Sequence, residues 1–594
     1  MSELAFEDIP ISQVNEYPVT KSVKIQGTAG CGKSTQAFRR MVECAHERDV
    51  DVEDIAVISY RVDLIEELLD DLVKEVGLLH QFDLESTGGR TKYLGTAHAV
   101  AKRMLGKTDM VTWQDRKDWC NTRDWEYTGD RSLGKLFFSV NDWLVDNQVP
   151  AEEATRAPEY DDFESELGRP IDIEPLLEDW LEYKLENDLY DFSDLLTVAI
   201  SEELVPDVEI LVIDELHDVY PLLNDVITMW IDEIQERDGT VIVAGDTNQV
   251  INSYQGASAE FFNDIDLPEV WLGKSWRVPE SHFELAKDVL SQSQEAPDVE
   301  ADSDDGELSV IRSGEHLPDS QGSNNPIQLL EETLEYDYGD EDNEETVMYL
   351  ARTQSQCEYI SESLKESGIL FGGSTGSNAW TRSESHERVA LYYCLRKLSS
   401  IDESDFEVKE WDSHATFEQG ADISLYTDDL REFVKYVPAE YIIGSKEELR
   451  DELKGEDSWK ESLLTLWVEP EFWREFTEGA DSLDNLNLNQ ELEAWVRPAL
   501  ENPDNAEVTL GSTDSQLINV RTIHASKGAE ADLVILYDGI TRRIHNSMFE
   551  DNEARKNEDR VWFVALTRSR EKMVVVQDGF SYTTNYLNNI GDLL

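Results

Sequence analysis

The stretch KIQGTAGCGKSTQ, Lys24 to Gln36, has the make-up of a phosphate cradle. Gly27, Thr28, Ala29, Gly30, Cys31, Gly32, Lys33 and Ser34 fit G-x-x-x-x-G-K-[ST], with Thr35 next in line. In such a loop the glycines let successive backbone N–H groups turn inward toward phosphate oxygens. Lys33 is placed to neutralise the β and γ phosphates, and the Ser34 hydroxyl to ligate Mg2+. A second run, EILVIDELHD from Glu209 to Asp218, closes an apolar strand with two acids. Asp214 is expected to hold the metal through water, and Glu215 to orient and deprotonate an attacking water. Asp-Glu pairs are common in a chain this acidic, so the second run gains its meaning from the first. Together they read as a nucleotide-hydrolysing site.

The surrounding text supplies elements that can position these groups. SVKIQG (Ser22 to Gly27) reads as a strand entering the glycine loop, and STQAFRRMVECAHER as the helix that leaves it. DIAVISY, VEILVIDELHD and GTVIVAGDTNQ are further strands alternating with helical text, the signature of a parallel sheet covered on both faces. From about Gly106 to Glu186 the text turns Trp-rich and helical, which suggests an insertion. A polar, acidic stretch from about Leu290 to Glu345, with short strand-like islands, is expected to form loops at a domain surface. A second α/β unit opens at ETVMYLARTQSQ, is interrupted by helical text from about Ser400 to Asn505, and resumes at LINVRTIHASKG. The expected architecture is two α/β cores, each split by a mainly helical insertion.

Composition narrows the class. At 594 residues the chain is too long for one core, and its aromatic content is ample for several. No apolar run approaches a membrane span and the start lacks a signal-peptide pattern, so the expectation is a cytoplasmic protein without membrane contact. The five cysteines form no CxxC pair and read as reduced structural thiols. With 127 acidic against 51 basic residues, the formal net charge is −76. The acids are spread along the whole chain, which fits a surface adapted to very high salt better than a local mimic of nucleic acid. In multimolar salt the Debye length falls to roughly 3 Å or less and self-repulsion is screened. A scarcity of basic surface therefore does not argue against a nucleic-acid partner.

The order of motifs then resembles one family. GTAHAV from Gly95, YDFSDLL from Tyr190, VAGDTNQVINSYQGA from Val243, LGKSWR from Leu272, VRTIHASKGAEADLVIL from Val520 and NEDRVWFVALTRSREKMVV from Asn557 are similar, in sequence order, to motifs of superfamily 1A helicases, the UvrD/Rep/PcrA group. The resemblance implies two RecA-like domains with ATP between them and Mg2+ as cofactor. It places domain 1A at residues 1–100 and 187–278, insertion 1B at 101–186, domain 2A at 279–399 and 506–594, and insertion 2B at 400–505. It makes Arg568 the arginine finger, Arg277 a second γ-phosphate contact that completes the site on closure, and Gln249 a γ-phosphate sensor. Glu530 would reach the ribose and Gln13 the adenine edge. Tyr254 falls where the family stacks an aromatic on a base, and Tyr60, Arg61, Thr96, His98 and His524 fall in its DNA-contacting motifs. The Trp residues of the insertions read as core.

What the resemblance implies is an ATP-dependent DNA helicase and translocase moving 3′→5′ on single strands and meeting duplex junctions, as a monomer or weak dimer, in repair, replication or mobile-element upkeep. Two alternatives stand beside it: an ATP-gated factor that binds DNA or displaces proteins without unwinding, and the motor subunit of a helicase–nuclease. No nuclease domain is expected after KMVVVQDG. The chain also departs from the pattern. His217 stands where the family has Gln, Asn252 replaces a tyrosine, Gln255 an arginine, and SYRVDLI matches its motif poorly. These departures bear on the coupling of hydrolysis to movement more than on hydrolysis itself.

Overall fold

Val23–Gly27 forms a short, almost wholly buried strand, and the chain leaves it through the glycine loop into the helix Lys33–Arg48. That helix buries Ala37, Phe38, Met41, Val42 and Cys44 on one side, and places His46 and Arg48 in its last turn, where cations complement the helix dipole. The computed structural model describes residues 17–59, 93–128, 131–301, 306–312, 325–330, 345–373, 380, 382–399, 407–411, 414–418, 424–452, 458–460, 468–469, 472, 479–502, 517–577 and 580–587. The chain divides into two units, one of Met1–Glu280, Lys287–Ser303 and Glu553–Phe563, the other of Ser281–Ala286, Asp304–Asn552 and Val564–Leu594.

The first unit is built on a six-stranded sheet in the order Leu94–Gly95, Ile55–Ile58, Ile210–Ile213, Thr240–Gly245, Val23–Gly27, Glu269–Leu272. Every pairing in it is parallel. Helices cover both faces, so its central strands carry unbroken apolar runs such as Ile210–Ile213, buried along its full length. Each such side chain contributes roughly 2 kcal/mol by leaving water.

The first insertion leaves this unit through a two-residue parallel pairing, Asp109–Met110 with Leu189–Tyr190, which holds its two ends together. Between them lie helices including Trp113–Asn121, Leu133–Asp146, Tyr160–Leu167 and Glu174–Asn187. They enclose their own aromatic core: Trp119 stacks on Phe137 at 4.8 Å and Phe138 meets Trp180 edge-on at 4.8 Å. Trp119 and Trp180 are thus core, as expected, whereas Trp113 is exposed and Trp143 faces a loop described below.

The second unit repeats the all-parallel plan in the order Glu307–Arg312, Ser569–Gln577, Ala531–Asp538, Val347–Ala351, Ile518–Thr522, Gly372–Gly373. Its insertion differs from expectation. The described residues include two antiparallel ribbons, Glu407–Trp411 with His414–Glu418 and Ser424–Tyr426 with Ser458–Lys460, beside helices such as Gln490–Glu501. Leu430, Phe433, Trp495 and Val496 share one core with the sheet residues Tyr349, Ile518 and Ile535. Among the described residues, this insertion thus shares the core of the sheet. All five cysteines are buried, and none is joined in a disulfide. Among the described residues no helix is long and apolar enough to cross a membrane.

Candidate nucleotide site and nucleic-acid contacts

Parallel strands put all their C-terminal ends on one rim, where α/β sheets bind ligands. In the first unit four adjacent strands deliver the glycine loop, Asp214 and Glu215, the segment Asp246–Gln249, and the segment Ser275–Arg277 to that rim. The last is drawn onto the loop itself. Ser275 Oγ donates to the Ala29 carbonyl at 2.8 Å, and the Trp276 N–H donates to the Gly30 carbonyl at 2.9 Å. Gly30 has φ +72°, and a Cβ there would lie 2.7 Å from both Arg277 Cβ and Ser275 Oγ. Only glycine fits this left-handed, crowded position. Arg277 thus stands against the loop within its own unit, which corrects the expectation that it arrives only on domain closure. The cause is the pairing of Glu269–Leu272 directly beside Val23–Gly27.

Lys33 is buried, and its Nζ donates to the Thr28 carbonyl at 3.1 Å, while Thr28 Oγ1 is buried with no hydrogen-bond partner. The cation is held over the cradle by an acceptor that a phosphate oxygen can replace. Burial raises the Cys31 thiol to about 11, so this residue adds no negative charge to the cradle.

Asp214 is buried and accepts a hydrogen bond from Ser34. Burial and the neighbouring Glu215 charge lift its carboxyl to about 7, while Ser34 and Lys33 pull the other way. Its Oδ1 is buried without a hydrogen-bond partner, and Glu215 Oε2 makes no hydrogen bond either, although His217 Nε2 lies 3.3 Å from it. Two orphaned carboxylate oxygens beside a hydroxyl and a lysine fit a hydrated divalent cation and a water molecule, hard-oxygen chemistry of the kind Mg2+ takes. Glu215 itself has φ +57°, a left-handed conformation that costs a non-glycine residue about 1 kcal/mol and is concentrated at functional sites.

Beside these acids lies a network the sequence did not announce. Asp246, fully buried, accepts from the Asn248 N–H at 2.9 Å and from Gln249 Nε2 at 2.7 Å. Its own N–H donates to His217 Nδ1 at 3.0 Å, and His217 Nε2 lies 3.3 Å from Glu215 Oε2. On the other side Gln294 Nε2 donates to Asn248 Oδ1 at 3.2 Å, and Arg560 Nε to Gln294 Oε1 at 3.0 Å. Arg560 lies in the NEDRVWFVALTRS text, where only Arg568 drew notice. A guanidinium beside the apolar run VWFVAL was the available signal.

Of the nucleic-acid contacts, Tyr254 is 49% exposed and its loop is held by the first insertion. Trp143 Nε1 donates to the Tyr254 carbonyl at 2.8 Å, and Asn147 Nδ2 to the Gln255 carbonyl at 3.2 Å. Thr96 caps the helix Ala97–Leu105, its Oγ1 accepting from the Ala99 N–H. His98 Nε2 shares a 2.8 Å hydrogen bond with the Tyr220 hydroxyl, and burial lowers the imidazole to about 4. It is a neutral group at ordinary pH, not a cationic phosphate contact. Its ring meets Phe192 edge-on at 5.8 Å, and Phe192, 65% exposed, is an aromatic face that the sequence reading passed over.

In the second unit His524 sits half-buried in a single turn just after the strand Ile518–Thr522. Glu530 pairs with Arg570, whose Nε donates to it at 2.9 Å. Arg568, 1% exposed, donates to the carbonyls of Val564 at 2.8 Å and Ala529 at 3.2 Å and to Thr567 Oγ1 at 3.1 Å, so its guanidinium is enclosed by its own unit. The helix Arg542–Glu550 presents exposed Arg542 and Arg543, with Phe549 packed on His545 at 4.9 Å. Gln13, Tyr60 and Arg61 lie outside the described residues.

Comparison with known proteins agrees with this layout. Residues 12–267 match the UvrD/REP helicase N-terminal domain, and residues 440–578 the UvrD-like helicase C-terminal domain. A 120-residue stretch is 32% identical to proteins named ATP-dependent DNA helicase UvrD2 in Mycobacterium bovis and in two strains of Mycobacterium tuberculosis. That match covers 18% of this chain and only 17% of each relative's length. The two α/β units are the RecA-like pair that this architecture requires, and the chain belongs to the UvrD/Rep helicases of superfamily 1A.

Proposed function

We propose that this chain hydrolyses ATP and converts the hydrolysis into 3′→5′ movement along single-stranded DNA, separating the duplexes it meets. The observation that carries the reading is the meeting of Lys33, the Ser34–Asp214 hydrogen bond and Glu215 on one sheet rim, with two carboxylate oxygens left unsatisfied there. The direction rests on the likeness of GDTNQVINSYQGA to the superfamily 1A pattern.

Lys33 exchanges the Thr28 carbonyl for the β and γ phosphates, and the inward-facing N–H groups of the loop take the remaining oxygens. Ser34 and Asp214 would hold Mg2+, which supplies charge neutralisation at the phosphates when bound. Glu215 accepts the proton of the attacking water as the new O–P bond forms and the bond to ADP breaks. Arg277 meets the γ-phosphate from the same unit, and Gln249, held by Asp246, reports its presence. Arg568 serves as the finger of the second unit once its side chain leaves Val564, Ala529 and Thr567. In the same way, Glu530 parts from Arg570 to reach the ribose.

The strand is gripped through Tyr254 and through the His98–Phe192 pair, by base stacking and neutral hydrogen bonds. Such a grip suits a protein of net charge −76 working in high salt, because ionic phosphate contacts weaken steeply as salt rises. The test is unwinding in multimolar KCl with 3′-tailed, 5′-tailed and blunt duplexes. Only the 3′-tailed substrate is expected to open; equal opening of the 5′-tailed duplex overturns the direction. The poor match of SYRVDLI and His217 in place of the family's glutamine favour one alternative, an ATP-gated DNA clamp. Its mark is ATP-dependent affinity with no strand separation.

A further inference from the structure

His217 occupies the family's glutamine position and is fully buried between the acid of the proposed hydrolysis and the segment that carries Gln249. Its ring orientation is fixed by chemistry. The Asp246 backbone N–H points at Nδ1 from 3.0 Å, and a backbone N–H can only donate. Nδ1 must therefore be the lone-pair nitrogen, and Nε2 carries the proton. Turning the ring over would set a C–H against that buried N–H and leave it unsatisfied. The protonated Nε2 then faces Glu215 Oε2 at 3.3 Å, a polar N–H turned toward a carboxylate oxygen without hydrogen-bond alignment. Glu215 stands in a left-handed conformation, so its side chain depends on such contacts for its direction.

We infer that His217 is a positioning residue: a neutral imidazole that accepts from the Asp246 N–H and turns its Nε2–H toward Glu215, and so ties the aim of Glu215 to the state of the 246–249 segment. The tie continues outward. Asp246 holds Gln249 and the Asn248 N–H, Asn248 accepts from Gln294, and Gln294 accepts from Arg560. A shift of the segment bearing Gln249 moves the Asp246 N–H, and with it the imidazole that faces the base. The inference rests on the phosphoryl-transfer reading above.

Two replacements separate the two halves of the imidazole. His217→Gln carries an amide N–H2 out to about the reach of Nε2, whereas His217→Asn offers only the Nδ1 side. His217→Gln is expected to keep ATP turnover within about threefold of the parent. His217→Asn is expected to lower it by about tenfold to a hundredfold, the loss typical of a misplaced reacting group, with little change in affinity for a non-hydrolysable ATP analogue. A double-mutant cycle excludes a merely structural role. In a Glu215→Gln background, single-turnover hydrolysis should be indifferent to His217→Asn, because the group His217 aims is already gone. Equal turnover in the Asn and Gln variants, a parallel fall in nucleotide affinity, or an undiminished Asn effect in the Glu215→Gln background would each overturn the positioning role. Absence of turnover in the parent protein would instead overturn the hydrolysis reading on which it rests.

Discussion

Removing the contacts between the first insertion and the Tyr254 loop should weaken DNA binding while leaving unstimulated hydrolysis intact. The loop is held from the end of the helix Leu133–Asp146, by Trp143 Nε1 on the Tyr254 carbonyl and by Asn147 Nδ2 on the Gln255 carbonyl. The fit is tight: Gly256 has φ +97°, and a Cβ there would fall 1.8 Å from Asn147 Oδ1. Trp143→Phe and Asn147→Ala each delete one neutral hydrogen bond to the loop, worth about 1 kcal/mol net, so the double variant loses about 2 kcal/mol of hold. If the loop must be ordered to present Tyr254, that loss lowers the binding-competent fraction by at most about thirtyfold and raises the apparent Kd in proportion. The assay is the concentration of single-stranded DNA giving half-maximal stimulation of ATP turnover, measured in multimolar KCl. Each single variant should raise it up to about fivefold and the double variant up to about thirtyfold, with basal turnover unchanged because Lys33, Asp214 and Glu215 are untouched. An unchanged half-maximal concentration in the double variant, or a basal rate that falls in step, would refute the reasoning.

Gly30→Ala should cut nucleotide affinity by tenfold or more, since it adds left-handed strain of about 1–2 kcal/mol and a methyl 2.7 Å from Arg277 Cβ; titration with a fluorescent nucleotide checks this. Asp146, which accepts from the Ser193 hydroxyl at 2.6 Å, is lifted to about 6 by burial, with the Asp142 and Asp191 charges adding to the effect. Its folded-state value exceeds the unfolded one, so its ionisation costs stability as pH rises from about 4 to about 6, and the full penalty persists above that. Asp146→Asn should therefore gain about 1–2 kcal/mol at pH 7.5, allowing for partial exposure, and nothing at pH 4. Urea melts at the two pH values decide it, and an equal gain at both would contradict the assignment.

Much of the fold could be read from the chain because the motifs carry their own local structure. The glycine loop needs a strand before it and a helix after it, and ILVI followed by Asp214 and Glu215 needs a strand end. The rest depends on strand order and on contacts across long sequence separations, which local patterns do not encode. Arg277 meets Gly30 because Glu269–Leu272 pairs with Val23–Gly27, a choice invisible in either segment alone. Trp143 looked like one more core residue of an aromatic insertion until its indole was found on the Tyr254 carbonyl. The motif that holds His98 was legible, but its neutrality was not, because the Tyr220 hydroxyl that it meets lies more than a hundred residues along the chain. The motif around Arg568 was legible, but the carbonyls that hold its guanidinium in this structure are set by tertiary packing. The second insertion read as helical because its Trp and Glu content is helix-compatible, while its ribbons are fixed by pairing partners.

The most direct test of the central claim is ATP turnover in multimolar KCl with and without single-stranded DNA, comparing the parent protein with Glu215→Gln. The expected result is turnover stimulated severalfold by DNA in the parent and reduced by at least about a hundredfold in the variant, with ATP-analogue affinity retained, as befits loss of a positioned base. Turnover in Glu215→Gln equal to that of the parent, or a parent indifferent to DNA, would contradict it.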